Sequence, residues 1–302
     1  MEIKANGLLS PYLRMLRINQ WAKNILLFLP LLAAHQISDG VALEKLAIAF
    51  IAFSLCASSV YIINDLVDIE NDRRHPIKRR RPFASGEVSS RIGVAIVPLL
   101  LISSGLLSFL VGIEFLAIVL VYFLITCTYS LWLKRVMPID CMTLAILYTL
   151  RVVAGAVAVQ VPLSFWLLSF SFFIFLSLAN LKRYAELQLQ NSHGNSGIDG
   201  REYIYSDSNL IKMIGICSGF TSSLILALYL QGDSVSILYS QPEFIWMSIP
   251  LLLLWINWLW INADRGQLKI DPLEYALRDR VSFFVGFLIL ICFLLATSGV
   301  SF

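Results

Sequence analysis

The 302 residues are 58% hydrophobic and only 14% charged, with a mean hydropathy of +0.76. A water-soluble domain of this length cannot hide so much apolar surface, so the lipid bilayer is the expected solvent and an ordinary globular fold is excluded. The net charge of +3 is too small for a nucleic-acid surface, and no nucleic-acid partner is expected.

Apolar runs of roughly 17–25 residues predict nine spans, near 12–35, 42–63, 92–111, 114–132, 139–160, 163–181, 210–231, 242–262 and 281–299. Arg14, Arg17, Gln20 and Lys23 share the first with the run 25–34, which predicts an amphipathic approach along the interface that turns into a span. MEIKANGLLSPYLRMLRINQWAKN lacks the parts of a signal peptide and is expected to stay in the mature chain. Cys56, Cys127, Cys141, Cys217 and Cys292 sit in apolar runs without a CxxC pair, so they read as small core hydrophobes with no redox or zinc role. No Pro- or Gly-rich linker, low-complexity tract or internal repeat interrupts the pattern, which predicts a single integral-membrane domain over 1–302.

Lys and Arg gather in every second connection. They are Lys4, Arg14, Arg17 and Lys23 at the N-terminus, seven residues of the 64–91 connection, Lys134 and Arg135, then Lys182, Arg183, Arg201 and Lys212, and lastly Arg265, Lys269, Arg278 and Arg280. The stretches 36–41, 112–113, 161–162 and 232–241 hold none; Lys45, just inside the second span, is the exception on that side. The positive-inside rule then puts the N-terminus and the long polar connections 64–91 and 182–209 in the cytoplasm of a bacterial-type inner membrane, with the C-terminus outside. Function is expected on the face with the long connections.

At the end of the second span stands Asn64-Asp65-Leu66-Val67-Asp68-Ile69-Glu70-Asn71-Asp72. On a helix Asn64, Asp68 and Asp72 share one face as a row of hard oxygen donors. Magnesium takes few carboxylates and completes its shell with water and phosphate oxygens, so this row suits a metal-bound diphosphate. A solvated helix end whose acids balance the next basic run is the plain alternative. That run, Arg73-Arg74-His75-Pro76-Ile77-Lys78-Arg79-Arg80-Arg81-Pro82, offers cations for phosphate. A lone His beside Pro, His75 is more often structural than catalytic. In the fifth span Asp140, Tyr148, Arg151 and Gly155 fall near one face, and an intramembrane Arg serves either a buried polar contact or a substrate. Tyr129-Ser130 with Lys134-Arg135, and Asn180-Leu181-Lys182-Arg183-Tyr184-Ala185-Glu186, add two more polar helix ends; Lys182 and Glu186 are spaced as a surface pair.

With nine spans and NDxxDxxxD at Asn64, Asp65, Asp68 and Asp72, the chain resembles the UbiA prenyltransferase superfamily. It is most similar to the decaprenyl-phosphate phosphoribosyltransferase branch through Gln20-Trp21-Ala22-Lys23-Asn24, the segment from His75-Pro76 to Arg81-Pro82 and Gly86, Tyr129-Ser130-Leu131-Trp132-Leu133-Lys134, Leu150-Arg151-Val152-Val153-Ala154-Gly155 and Lys182-Arg183-Tyr184-Ala185-Glu186-Leu187. Where ordinary prenyltransferases carry a second Asp-rich motif in the loop after helix six, this chain has LKRYAELQLQNSHG. The resemblance implies an all-α, polytopic UbiA-like bundle of nine transmembrane helices with a cytoplasmic active site. It implies Mg2+ on Asn64, Asp68 and Asp72, with Asp65 beside them, binding phosphoribosyl pyrophosphate. Phosphoribose would pass to a polyprenyl phosphate in the bilayer, a step in making a cell-wall or glycan precursor. Lys78 and Arg81 would meet the pyrophosphate, Lys182 and Arg183 the 5-phosphate, and Lys23, Lys134 and Arg151 the lipid phosphate or sugar. Tyr129 and Glu186 complete the candidate substrate-binding set. A homo-oligomer is compatible with the sequence. Two other classes stay open: a prenyltransferase acting on an aromatic or quinone precursor, and a transporter.

Overall fold

The computed structural model describes residues 10–74, 78–192, 197–198, 201–232, 235, 238–268 and 271–298. Lys4, His75, Pro76, Ile77 and Lys269, named above, lie outside the described residues, as do 193–196 and 199–200 of the 182–209 connection. The regular structure of the described residues is helical apart from one isolated antiparallel bridge between Gly197 and Ile204.

The first predicted span is not a continuous α-helix. It is built from α1 (Pro11–Met15), a 3-10 stretch (Ile18–Phe28) and α2 (Leu29–Ala33). A 3-10 run of this length is rarely stable by itself, so side-chain contacts must hold it. Ser58 accepts a hydrogen bond from the Trp21 indole (3.0 Å) and donates to the Leu16 carbonyl (2.8 Å), and the Asn24 amide donates to Ser54 (2.9 Å). Gly155 lets this segment come close, because a Cβ there would stand 2.0 Å from the Leu27 carbonyl oxygen.

Eight helices among the described residues are long and apolar enough to cross a membrane, and the broken segment occupies the place of the ninth. The chain divides into two compact units. The first, Met1–Leu131 with Leu150–Pro162, holds the broken segment, α3 (Gly40–Val67), α4 (Ile69–Arg74), α5 (Ser90–Val111), α6 (Ile113–Leu131) and the last part of α7 (Ile139–Ala158). The second, Trp132–Thr149 with Leu163–Phe302, holds the start of α7, α8 (Phe165–Ser192), α9 (Ser208–Tyr229), α10 (Glu243–Trp246), α11 (Ser248–Asp264), α12 (Pro272–Ala276) and α13 (Arg280–Ser298). Leu99, Ile102, Leu106 and Phe109 on α5, and Phe283, Phe284, Phe287, Leu290 and Leu294 on α13, are exposed. Apolar faces this long are stable against acyl chains and not against water, so the protein is an integral membrane protein. Cys217 departs from the expectation of core packing: it is exposed on α9, where lipid tolerates a small apolar side chain as well as a core does.

Two local features position polar groups. In the first unit Phe83 is buried with Met15, Ile62 and Val88. It lies so close to Gly93 that a Cβ there would meet its ring tip at 2.7 Å. This anchors the chain two residues after Arg81. In the second unit α8 runs well past the predicted end of its span, because Leu181, Tyr184 and Leu187 recur at three-residue spacing and are all buried. Residues 182–192, expected as part of a connection, are therefore helical.

Candidate active site

The acid motif straddles a junction. α3 stops at Val67, Asp68 caps it, and α4 begins at Ile69. The helical pitch survives, since the Asp68 amide donates to the Asn64 carbonyl (3.0 Å) and the Asp72 amide to that of Asp68 (2.8 Å). Asn64 and Asp68 are half-buried on this continuous spiral, whereas Asp65 and Asp72, seven residues and two turns apart, are buried. Those two converge on one guanidinium: Arg81 Nη1 lies 3.0 Å from Asp65 Oδ1 and 2.7 Å from Asp72 Oδ2. Arg17 Nη2 reaches the same Asp65 oxygen at 2.5 Å, and its guanidinium lies 5.0 Å from the centre of the Tyr61 ring. Two acids and two arginines form an alternating chain of charge, which has the chemistry of a site for a cation and a polyanion together. Lys78 is exposed on the short 3-10 turn Lys78–Arg80 before Arg81.

Arg151 is buried in the same unit. Its Nε donates to Asn24 Oδ1 (3.0 Å) and its Nη2 to the Tyr122 hydroxyl (3.0 Å), and its guanidinium faces the Tyr122 and Phe53 rings. Asn24 bonds Ser54, eleven residues before Asp65 on α3, so Arg151 sits about 16 Å along the helix axis from the acid pair. Its visible work is to hold the broken N-terminal segment against α3 and α6. Lys23, next to Asn24, is half-buried, as is Tyr129 near the end of α6.

A second charged cluster is confined to the other unit. Asp140 is fully buried and is gripped at two points by Arg183 (Nε to Oδ2 2.5 Å, Nη2 to Oδ1 3.1 Å) and once by Arg201 (2.9 Å). Arg183, itself buried, also reaches Glu186 at 2.6 Å, and Arg201 donates to the Lys134 carbonyl at 3.1 Å. Tyr203 closes the cluster with its hydroxyl 3.5 Å from Cys141 Sγ; burial, with Cys141 and Asp140 nearby, pushes its phenol above the ordinary value. Lys182 pairs with Asp271, the N-cap of α12, at 3.0 Å, a contact that ties α8 to α12, while its charge also acts on Glu186 as the spacing led one to expect. Asp264, half-exposed at the end of α11, accepts from Tyr184 (2.5 Å) and from Lys212 (2.6 Å).

The face expected to carry Asp140, Tyr148, Arg151 and Gly155 is thus shared out. Asp140 and Tyr148, which stacks on Phe175 at 5.2 Å, serve the second unit; Arg151 and Gly155 serve the first. Sequence reasoning counted Arg17 and Arg201 only as topology signals and did not single out Asp271 or Asp264. An available signal was the count of opposite charges: an acid at a span end needs a cation, and Arg17 and Arg201 were among the basic residues given no other role.

The UbiA prenyltransferase family matches residues 25–271. The chain belongs to that family. The decaprenyl-phosphate phosphoribosyltransferase of Mycolicibacterium smegmatis is 31% identical over 287 residues, 91% of this chain and 88% of that protein. The nodulation protein NoeC of Azorhizobium caulinodans is 34% identical over 271 residues, 89% of this chain and 87% of its own. The uncharacterized protein y4nM of Sinorhizobium fredii is 37% identical over 94% of this chain, and the chain spans 55% of that longer protein. Among solved structures, a UbiA homologue from Archaeoglobus fulgidus bound to DMAPP and Mg2+ superposes with a TM-score of 0.71 at 17% identity, covering 95% of this chain and 99% of that one, which establishes the fold. This UbiA protein is accordingly an all-helical membrane enzyme of the transferase class.

The acid motif can be judged as a metal site from its donors alone. Among the described residues no three His, Cys, Asp or Glu side chains come close enough to hold a metal by themselves. The motif fits magnesium nonetheless, because that ion is commonly held by one or two carboxylates and finished by water and substrate phosphates. Asp68 and Asp72, with the side-chain oxygen of Asn64, supply donors of that kind.

Proposed function

We propose that this protein transfers 5-phosphoribose from phosphoribosyl pyrophosphate to a polyprenyl phosphate and releases pyrophosphate. The observation that carries the reading is the convergence of Asp65 and Asp72 on Arg81, which makes a place for alternating positive and negative charge at the end of a span. Similarity over most of both chains to a protein named decaprenyl-phosphate phosphoribosyltransferase supports the choice of donor and acceptor. The sorting of Lys and Arg supports a cytoplasmic site, where a soluble sugar diphosphate is reached from water and the lipid from the bilayer.

Asp68 and Asp72, with Asn64, would hold magnesium, which when bound neutralises charge on the departing diphosphate. Arg81 and the exposed Lys78 supply the cations that meet the remaining diphosphate oxygens. The bond from ribose C1 to the pyrophosphate oxygen breaks with its electron pair going to pyrophosphate. An oxygen of the lipid phosphate, already anionic, forms the new bond to C1 from the opposite face and inverts that centre. No side chain is required to remove a proton. Lys182 is the proposed phosphate contact on α8, with Glu186, Lys134, Tyr129 and Lys23 as further substrate-binding side chains. Arg183 and Arg151, engaged in their own units, act by holding structure.

The test is incubation of the purified protein with Mg2+ and labelled phosphoribosyl pyrophosphate, with and without polyprenyl phosphate. Label entering lipid only when the acceptor is present is the expected result. Failure of that transfer, with prenyl transfer from a prenyl diphosphate to an aromatic acceptor, would defeat the assignment. Asp68→Ala and Asp72→Ala should each abolish turnover in a protein that still folds, because both residues stand at the polar end of the span. Near-normal Mg2+-dependent activity in both variants would remove the acid motif from the mechanism.

A further inference from the structure

Arg17 stands at a turn between α1 and the 3-10 stretch where the backbone is left-handed (φ 51°, ψ 48°), a conformation that a side chain with a Cβ adopts only when its surroundings hold it there. Here both flanks are held by one residue, since Ser58 bonds Leu16 on one side and Trp21 on the other. Ser58 lies two helical turns before Asp65 on the same face of α3, so the fixed turn delivers the Arg17 guanidinium to Asp65, past the Tyr61 ring. Asp65 is only 3% exposed, while the side chains of Arg17 and Arg81 remain 24% and 26% exposed.

The order of charges is Arg17, Asp65, Arg81, Asp72, with both arginines on the same oxygen of Asp65. A buried carboxylate binds whatever cation it has, and it binds a single partner more tightly than one of two. With Arg17 in place, Asp65 stays neutralised when Arg81 turns away. Without Arg17, Arg81 becomes the partner Asp65 cannot release.

We infer that Arg17 is a positioning residue for the diphosphate: by neutralising Asp65 it leaves Arg81 free to move from the acid pair onto a diphosphate bound at Asp68 and Asp72. The inference rests on the reading that this motif binds a diphosphate. It assigns Asp65 a role distinct from metal ligation, as the anchor shared by two guanidinium groups.

The test is calorimetric binding of inorganic pyrophosphate in the presence of Mg2+ to the full-length protein, with thermal unfolding recorded for each variant. Arg17→Ala should weaken binding by about tenfold or more, the size of a lost charge-assisted contact. Arg17→Lys, which keeps a point charge at the turn but loses the planar group beside Tyr61, should bind more tightly than Arg17→Ala. The deciding variant is the double substitution Arg17→Ala with Asp65→Asn, which removes the charge that would otherwise capture Arg81 and should recover most of the lost affinity. Recovery supports the inference. A double variant as weak as Arg17→Ala would mean that Arg17 touches the diphosphate itself, and unchanged affinity in a less stable Arg17→Ala protein would mean that it only supports the fold; either result overturns the inference. If the wild-type protein binds no pyrophosphate, the diphosphate reading fails first and the role of Arg17 falls with it.

Discussion

Asp140 shows what the structure adds at the scale of single residues. As a letter in the sequence it is an acid at the start of a span; in the fold it is a buried carboxylate with two arginines on it. Removing one member of such a group leaves uncompensated charge in a low dielectric, which typically costs about 3–5 kcal/mol. Asp140→Asn and Arg183→Ala should therefore lower the thermal midpoint in detergent by many degrees, whereas Asp140→Leu combined with Arg183→Met should lose far less. An unchanged midpoint in both single variants would dismiss the network as a source of stability. Lys182 behaves differently because it is a third exposed and pairs with Asp271. Lys182→Ala should raise the donor KM by roughly tenfold or more if it grips a phosphate, with little change for polyprenyl phosphate. Unaltered donor kinetics would reduce it to the link between α8 and α12. The acids of the motif were legible in the sequence because their spacing matches the helical pitch. Of their partners, Arg81 stands in the adjacent basic run, but Arg17 was not legible, because it is forty-eight residues from Asp65 and nothing local records that pairing.

The elements were easiest to read where lipid alone dictates them. A span must satisfy its backbone internally, so a long apolar run between polar ends leaves little choice but helix, and eight of the nine predicted spans are such helices. The first differs because its shape comes from partners elsewhere in the chain: Ser54, Ser58 and Arg151 hold Asn24, Trp21 and Leu16 in a broken path that no hydropathy window can see. Gly155 tests this account. A methyl group there would meet the Leu27 backbone, which cannot swing aside, so Gly155→Ala should destabilise the protein by about 1–3 kcal/mol, as overpacking does, and thermal unfolding would measure it. Gly93→Ala meets side chains and no backbone: the tip of the Phe83 ring at 2.7 Å and a Leu66 methyl at 3.2 Å. Its expected effect is a displaced Arg81 and a loss of transfer activity larger than its loss of stability. Equal effects of the two substitutions on stability and on activity would contradict the distinction between a scaffold glycine and one that places a cation.

For the whole molecule, the two compact units each carry their own charged cluster, the acid motif with Arg17 and Arg81 in one, Asp140 with Arg183 and Arg201 in the other. The helix count and the membrane setting came through from the sequence because hydropathy and charge sorting are properties summed over many residues, whereas the pairing within each cluster depends on single side chains. The direction in which the molecule sits is likewise carried by a sum. Lys and Arg resist transfer across the membrane, and their sorting into alternating connections is what supports the proposed orientation. In a variant lacking the five native cysteines, Leu238→Cys, which replaces an exposed residue, should react with an impermeant thiol reagent added outside intact cells. Glu70→Cys beside the acid motif and Asn191→Cys at the end of α8, both exposed in the fold, should react only after the membrane is opened. Labelling of Glu70→Cys from outside, with protection of Leu238→Cys, would turn the molecule over. It would also place the acid motif on the side of the membrane where a cytoplasmic sugar diphosphate cannot reach it, and the orientation and the proposed donor would have to be abandoned together.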